Sequence, residues 1–194
     1  MDRNDRLFAV CLGGRAARCN TELHDIVFVT GSSVETAYDQ LLAKWFGLPQ
    51  GLHIDAWAEL DVIDGYEISL SPIPNPGSDR LYFVNLGAYR PGELGEVHAN
   101  AFLVAADVQD AKRRAKAALL TDGAEEVHTD DLYEVDSCIE LDAVNDFHVT
   151  LTPTDRQAPF EAHTGYHVLP GEAIEAHIAR RAAPNTAGYR TPFD

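Results

Sequence analysis

Several things that would classify a protein quickly are missing from this 194-residue chain. It has three cysteines, Cys11, Cys19 and Cys138, and no CxxC pair. A set that is odd in number and widely spaced fits neither a disulfide framework nor a zinc site, so reduced thiols are expected. No apolar stretch approaches the ~20 residues needed to span a bilayer. The opening MDRNDRLFAV lacks an apolar core of signal-peptide length. These absences predict a cytoplasmic protein. Cations are also scarce: 15 Lys and Arg stand against 31 acids, for a formal net charge of −16. A field of that sign repels phosphate backbones and anionic headgroups, which excludes nucleic acid and bare membrane as partners. The negative charge serves solubility or attracts cations. Nor is there any HExxH or Walker pattern. What the chain does have is 45% hydrophobic residues, enough to bury a core in one large domain or two small ones.

Compared with itself at an offset of 74, LFAVCLGG (residues 7–14) falls on LYFVNLGA (81–88), with Leu7/Leu81, Val10/Val84, Leu12/Leu86 and Gly13/Gly87 identical. The same offset pairs Glu22 with Glu96, His24 with His98 and Phe28 with Phe102. An offset of 75 then lays HIDAWAELD (53–61) on HTDDLYEVD (128–136), and 81 lays YEISLSP (66–72) on FHVTLTP (147–153). The order of these matches indicates a tandem duplication. Its copies occupy residues 1–75 and 76–153, joined through the Pro/Gly-rich SPIPNPGSDR, and residues 154–194 form an extension matching neither copy.

Within each copy the apolar runs read as strands and the SSVETAYDQLLAKWF stretch as a helix of about four turns, with Ser32 and Glu35 as a capping box. In the second copy Asp107 is the expected cap. Alternation from Leu52 to Val62, followed by Asp64-Gly65, predicts a strand and then a hairpin. Each unit therefore reads ββαββ. The fold class is α+β, with the two repeats packed about a pseudo-twofold axis and Trp45, Phe28 and Phe102 in the core. The extension is expected to hold one helix at about 171–182, with acids early and arginines late, followed by a mobile tail.

The wording LGG…ELHD…FVxG, WFG…LHIDxWxELDVIDGY and LYFVNLGxYxPGxxGExH…DDLYEVD resembles the bacterial family catalogued as domain of unknown function 1543. Members of that family carry one or two copies of the domain. The resemblance covers Leu7 to about Pro153 and implies organisation, with no activity, cofactor or catalytic residue to carry over.

The best constellation for chemistry is Glu22 and His24 with His53 and Asp55, repeated as Glu96 and His98 with His128 and Asp130. Residues i and i+2 of a strand share a face, so each pair sets an imidazole beside a carboxylate. If the two strand starts meet, each repeat offers two imidazoles and two carboxylates, a set suited to zinc or iron. The competing reading, favoured here, makes these pairs hydrogen-bonded structural pins that a duplicated fold needs twice. Glu59, Asp61, Glu134 and Asp136 also recur, but carboxylates leading into a turn are ordinarily solvated, and acid/base catalysis is not expected of them. The loop GGRAARCNT sets Arg15 and Arg18 beside Cys19, an arrangement that suits a small anion or a reactive thiol, although the favoured reading is a surface loop with a neutral thiol. Glu161, His163 and His167, outside the repeats, read as coincidence.

With no catalytic motif, the expected function is a non-enzymatic ligand- or protein-binding or assembly module without a cofactor, its small ligand unidentified and a homodimer possible. The alternative is a zinc- or iron-dependent enzyme acting on a small molecule through the His/carboxylate sets.

Overall fold

A computed structural model describes residues 5–89, 92, 94–119 and 135–182. The elements are β1 (Arg6–Gly14), β2 (Leu23–Gly31), a 3-10 turn (Glu35–Ala37) running into α1 (Tyr38–Lys44), β3 (His53–Glu59), β4 (Val62–Ile63) and β5 (Tyr66–Ser71). There follow β6 (Arg80–Tyr89), β7 (Glu96–Ala105), α2 (Val108–Leu119), β8 (Val135–Glu140), β9 (Ala143–Val144) and β10 (Phe147–Pro153). The extension adds β11 (His163–Val168) and α3 (Gly171–Ala182). The chain is thus α+β, with two tandem repeats and a C-terminal extension carrying one helix. No described helix is long and apolar enough to cross a membrane.

Two compact units emerge, and they cut across the repeats. Among the described residues, the first comprises 8–59 and 162–182, and the second 5–7 and 60–161. In the first unit a sheet runs β11-β3-β1-β2. Phe8, Val10 and Leu12 alternate along β1 and enter one core with Val27, Val29, Ile54 and the Leu41, Leu42 and Trp45 side chains around α1. Ile174 of α3 joins the same core. Each such aliphatic side chain contributes roughly 1.5–3 kcal/mol on burial, so the alternation dictates which face of β1 turns inward.

The helix departs from the expected four turns. Its first turn is 3-10 and starts at Glu35 with Val34 at the N-cap position; Ser33 N–H donates to the Thr36 hydroxyl (3.3 Å), which donates to the Ser33 carbonyl (2.7 Å). Trp45 already has extended backbone, because its indole N–H donates to the Leu48 carbonyl (3.0 Å) and turns the chain away. In α2 the expected cap is present, with Asp110 N–H donating to Asp107 (2.8 Å).

The second unit holds the sheets β4-β5-β10-β9 and β7-β6-β8. Asp64 and Gly65 both take positive φ (53° and 78°) in the two-residue turn between Ile63 and Tyr66, the geometry that matches strand twist. The strand expected over residues 52–62 is divided into β3 and β4, which belong to different sheets. β5 pairs with β10 so that His148 faces Ser71 and Thr152 faces Glu67. At an offset of 81 these two pairs exchange, so the hairpins of the two repeats are related by a local twofold. Phe102 is only partly buried and stacks between Phe83 (5.3 Å) and Phe160 (5.5 Å), whereas Trp45 and Phe28 are in the core as expected.

Pairing also corrects one alignment. Phe8 faces Glu59 and Cys11 faces Ala56, while Tyr82 faces Glu140 and Asn85 faces Ser137. β8 is therefore the counterpart of β3 at an offset of 81, and the match of residues 53–61 with 128–136 at 75 is out of register. The Leu60 N–H to Leu7 carbonyl bond (2.9 Å) and its twin from Leu141 to Leu81 (2.8 Å) carry the same offset. The seven additional residues all precede β8, where a recurring His-x-Asp imitates homology.

Candidate functional site

Three of the four strands in the first unit's sheet converge on Gly13. β1 lies between β2 and β3, and Gly13 pairs with His53. Strands flanking a third are roughly 9–10 Å apart, so side chains meet across the middle strand only where it offers no side chain of its own. Gly13 provides that gap. A Cβ there would stand 2.4 Å from His53 Nε2, 2.5 Å from Asp55 Oδ2 and 2.9 Å from Glu22 Oε1.

Around this gap Glu22, His24, His53 and Asp55 come together, but not in the expected pairs. His53 Nε2 lies 2.6 Å from Glu22 Oε1 and 3.3 Å from Asp55 Oδ1, and His24 Nε2 lies 3.2 Å from Asp55 Oδ2. The contacts form a chain, Glu22 to His53 to Asp55 to His24, in which Glu22 and His24 separate to different partners. His53 is buried, at 5% side-chain exposure, whereas the other three are open to solvent by a third to a half. His53 Nδ1 is 2.9 Å from the Gly51 carbonyl, which can only accept, so this nitrogen carries a proton and Nε2 is directed at the carboxylates. Despite the nearness of His24, Asp55 Oδ2 is enclosed without a hydrogen bond.

A bulge explains the aim of Asp55. Along β1 the pairing steps from Cys11–Ala56 to Leu12–Ile54, and along β11 from Thr164–Ala56 to His167–Ile54, so Asp55 is skipped on both sides of β3. Bulges re-aim a side chain in this way, often beside functional sites. On the β11 side the skipped residues are Gly165 and Tyr166, and the Tyr166 ring, largely exposed, packs on His53 at 4.3 Å. His163 stacks on Trp57 at 4.0 Å. The extension's histidines are therefore not coincidental to the fold, although no sequence signal pointed to Tyr166.

The other sequence candidates are placed differently. Glu96 and His98 are 3.7 Å apart on β7, both partly exposed. His128 and Asp130 lie outside the described residues, and at the corrected offset the position of His53 falls on Glu134, also outside them, and that of Asp55 on Asp136. Among the described residues of the two repeats, His53 is the one buried imidazole. Asp61 accepts both Arg156 Nη groups (2.6 and 2.7 Å), which hold its carboxyl below its usual range, so it is an ion-pair partner and not a proton carrier. In the loop of residues 15–19 the Ala16 N–H donates to Cys19 Sγ (3.3 Å), and neither Arg15 nor Arg18 forms an ion pair among the described residues. Burial, with the charges of Asp55 and Asp25, pushes the Cys11 thiol up, so it stays protonated near neutral pH. Among the described residues no three His, Cys, Asp or Glu side chains are disposed to hold one metal ion.

The family model described as Domain of Unknown Function (DUF1543) matches residues 19–70 and 93–145, together more than half of the chain. A crystal structure of a protein Il1583 from Idiomarina loihiensis is similar at 35% identity and a TM-score of 0.67, over 86% of this chain and 99% of that one. No curated protein matches the chain.

Proposed function

The chain belongs to the Domain of Unknown Function (DUF1543) family, and from that premise we propose that it is a non-enzymatic binding module whose ligand site is the cradle over Gly13 in the first unit. The observation that carries this reading is the convergence of Glu22, His24, His53 and Asp55 beside a glycine, where one buried imidazole meets three partly exposed partners. A pin of purely structural purpose would be needed in both repeats, and the His53 position changes chemistry in the second. The extension also adds Tyr166 on one side of the cluster. Small-ligand sites combine a few convergent polar groups with an aromatic or apolar wall, as here. The one thiol whose titration the cluster influences, Cys11, is held protonated.

The test is a thermal-shift screen of small cationic, neutral and anionic metabolites against the parent and Gly13→Ala. One or more compounds should raise the parent's Tm and leave that of Gly13→Ala unchanged; a hundred-fold excess over Kd raises stability by about 2.7 kcal/mol. A panel without effect on the parent, or with equal effect on both, overturns the reading. Elemental analysis of protein purified without an affinity tag separates it from the zinc- or iron-dependent alternative, which requires stoichiometric metal.

A further inference from the structure

We infer that residues 15–18, together with residues 44–48 at the end of α1, form a docking surface for another protein, and that the segment it takes is acidic with bulky apolar side chains. Cations are the scarce charge in this chain, and Arg80, Arg113, Arg114, Arg156 and Arg180 are each held by a carboxylate. Arg15, Arg18 and Lys44 are exposed and form no ion pair among the described residues. The two segments that carry them are fastened together. Leu48 N–H donates to the Arg15 carbonyl (2.6 Å), and the Trp45 indole, packed against Gly14 and Gly47, donates to the Leu48 carbonyl (3.0 Å). Beside the cations Phe46 and Leu48 are exposed by 60% and 44%, and the Phe46 ring stands 4.5 Å from the buried ring of Trp45. A ring propped on a fixed indole is already ordered, so covering it costs little side-chain entropy. Aromatic and arginine side chains are the types enriched where proteins meet.

The second observation is the backbone of Arg18. Three non-glycine residues have positive φ among the described residues, and Asp64 and Asn145 are of the types that tolerate it, whereas Arg18 (φ 71°) is not. At the offset of 74 its counterpart is Gly92 (φ 85°), so the loop needs this conformation and the second repeat meets the need with glycine. The first repeat keeps a long cationic side chain there at a conformational cost. The same offset puts Tyr89 opposite Arg15 and Ala118 opposite Lys44, so the three cations are not a requirement of the repeated fold. Across a twofold axis the surface would meet itself, cation against cation, which disfavours a closed dimer of this chain. A membrane or nucleic acid spreads its charge widely and meets the field of −16, while a short acidic segment engages the three cations alone.

The experiment is fluorescence anisotropy of a labelled octapeptide alternating glutamate with leucine, titrated with the full chain at about 0.05 M salt. Binding should saturate in the micromolar range and weaken several-fold at about 0.3 M salt. A peptide alternating glutamate with glutamine, of equal charge, should bind about tenfold more weakly. Phe46→Ser should cost about tenfold in affinity and Arg18→Gly about fivefold. Arg18→Gly accepts the same φ and should keep or raise the Tm. Lys116→Gln, on α2, removes the same charge elsewhere and should bind as the parent does. Equal affinity in Arg18→Gly and the parent, or an equal loss in Lys116→Gln, reduces the contact to the field of the whole chain and overturns the proposal. A lowered Tm in Arg18→Gly would make the guanidinium structural and overturns it as well, as does equal binding of the two peptides. Tighter binding of phosphatidylserine vesicles or of an oligonucleotide hands the surface to a polyanion. A mass that doubles with concentration in the parent, but not in Arg18→Gly, hands it to a second copy. Either result overturns the proposal, and so does a parent that binds no probe.

Discussion

The first unit's cradle and its counterpart in the second repeat started from one sequence and now differ in a single decisive respect. Offsets of 74 and 81 carry Gly13, Glu22, His24 and Asp55 onto Gly87, Glu96, His98 and Asp136, but carry His53 onto Glu134. In the first repeat a buried imidazole lies between two carboxylates. In the second, Glu96 and His98 lie 3.7 Å apart, both partly exposed. The break in register recurs in both repeats, between Cys11 and Leu12 and between Asn85 and Leu86, while the imidazole position does not. The β11 strand deepens the contrast, because it brings Tyr166 to β3, whereas among the described residues β8 is the last strand of its sheet.

The sharpest way to break this comparison is to replace the two histidines separately. Removing a buried ion-pair partner costs ~3–5 kcal/mol, and since Glu22 and Asp55 are partly solvated the loss in His53→Ala should be nearer ~2–3 kcal/mol. At roughly 2–4 °C per kcal/mol this is a Tm drop of about 4–12 °C. His98→Ala, at a half-exposed position, should cost less than His53→Ala, and equal losses in calorimetry would mean that the two places are equivalent after all. Next in size is Gly13→Ala, whose Cβ would have to displace His53 Nε2 and Asp55 Oδ2. Overpacking of this sort costs typically 1–3 kcal/mol, and the variant should also lose the close His53–Glu22 contact. A crystal structure of it with the 2.6 Å contact intact contradicts the gap assigned to Gly13.

A third test uses the pair Phe8 and Tyr82, equivalent positions that differ by a hydroxyl. Burial, together with the hydrogen bond to Glu140 (3.1 Å), pushes the Tyr82 phenol up to about 12. A folded-state value raised above the unfolded one gives stability that is complete below about pH 10 and is lost as pH climbs toward 12. Alkaline denaturation should therefore flatten in Tyr82→Phe across that window, and an unchanged pH profile would count against it. The smallest effect is expected at Asp61, whose carboxyl is lowered by Arg156. Its contribution is present above the ordinary carboxylate value of about 4 and fades as pH falls through the lowered one. Arg156→Ala should have less stability to lose in acid than the parent, measured by urea midpoints between pH 5 and 2.

Much of this was legible in the residues. Continuous apolar runs marked β1 and β6, Asp64-Gly65 marked its hairpin, and the charge order of GEAIEAHIARRA marked α3. Glu22, His24, His53 and Asp55 were singled out before their strands were placed, because i, i+2 spacing survives any arrangement of the sheet. Three things were not legible. The partners within the cluster depend on Gly13 lying between β2 and β3, a fact of strand order and not of sequence spacing. The His-x-Asp of residues 128–130 looked homologous because a short motif outweighs a longer but weaker alternation when no pairing is known. β11 was hidden because its six residues are all exposed, so hydrophobic periodicity, which reports burial, is silent there.

The antiparallel register of β5 with β10 has a consequence for assembly history. Since exchanging the repeats leaves the paired residues unchanged, the contact is self-complementary, the property that defines an isologous interface between identical subunits. A chain with a single repeat would make this strand pair only by meeting a second molecule, at a rate and occupancy set by its concentration. Tethered through the SPIPNPGSDR connection, the same pairing becomes intramolecular and independent of dilution. Once occupancy no longer depends on two copies being alike, each is free to drift, and the loss of an imidazole from one of them carries no penalty in assembly.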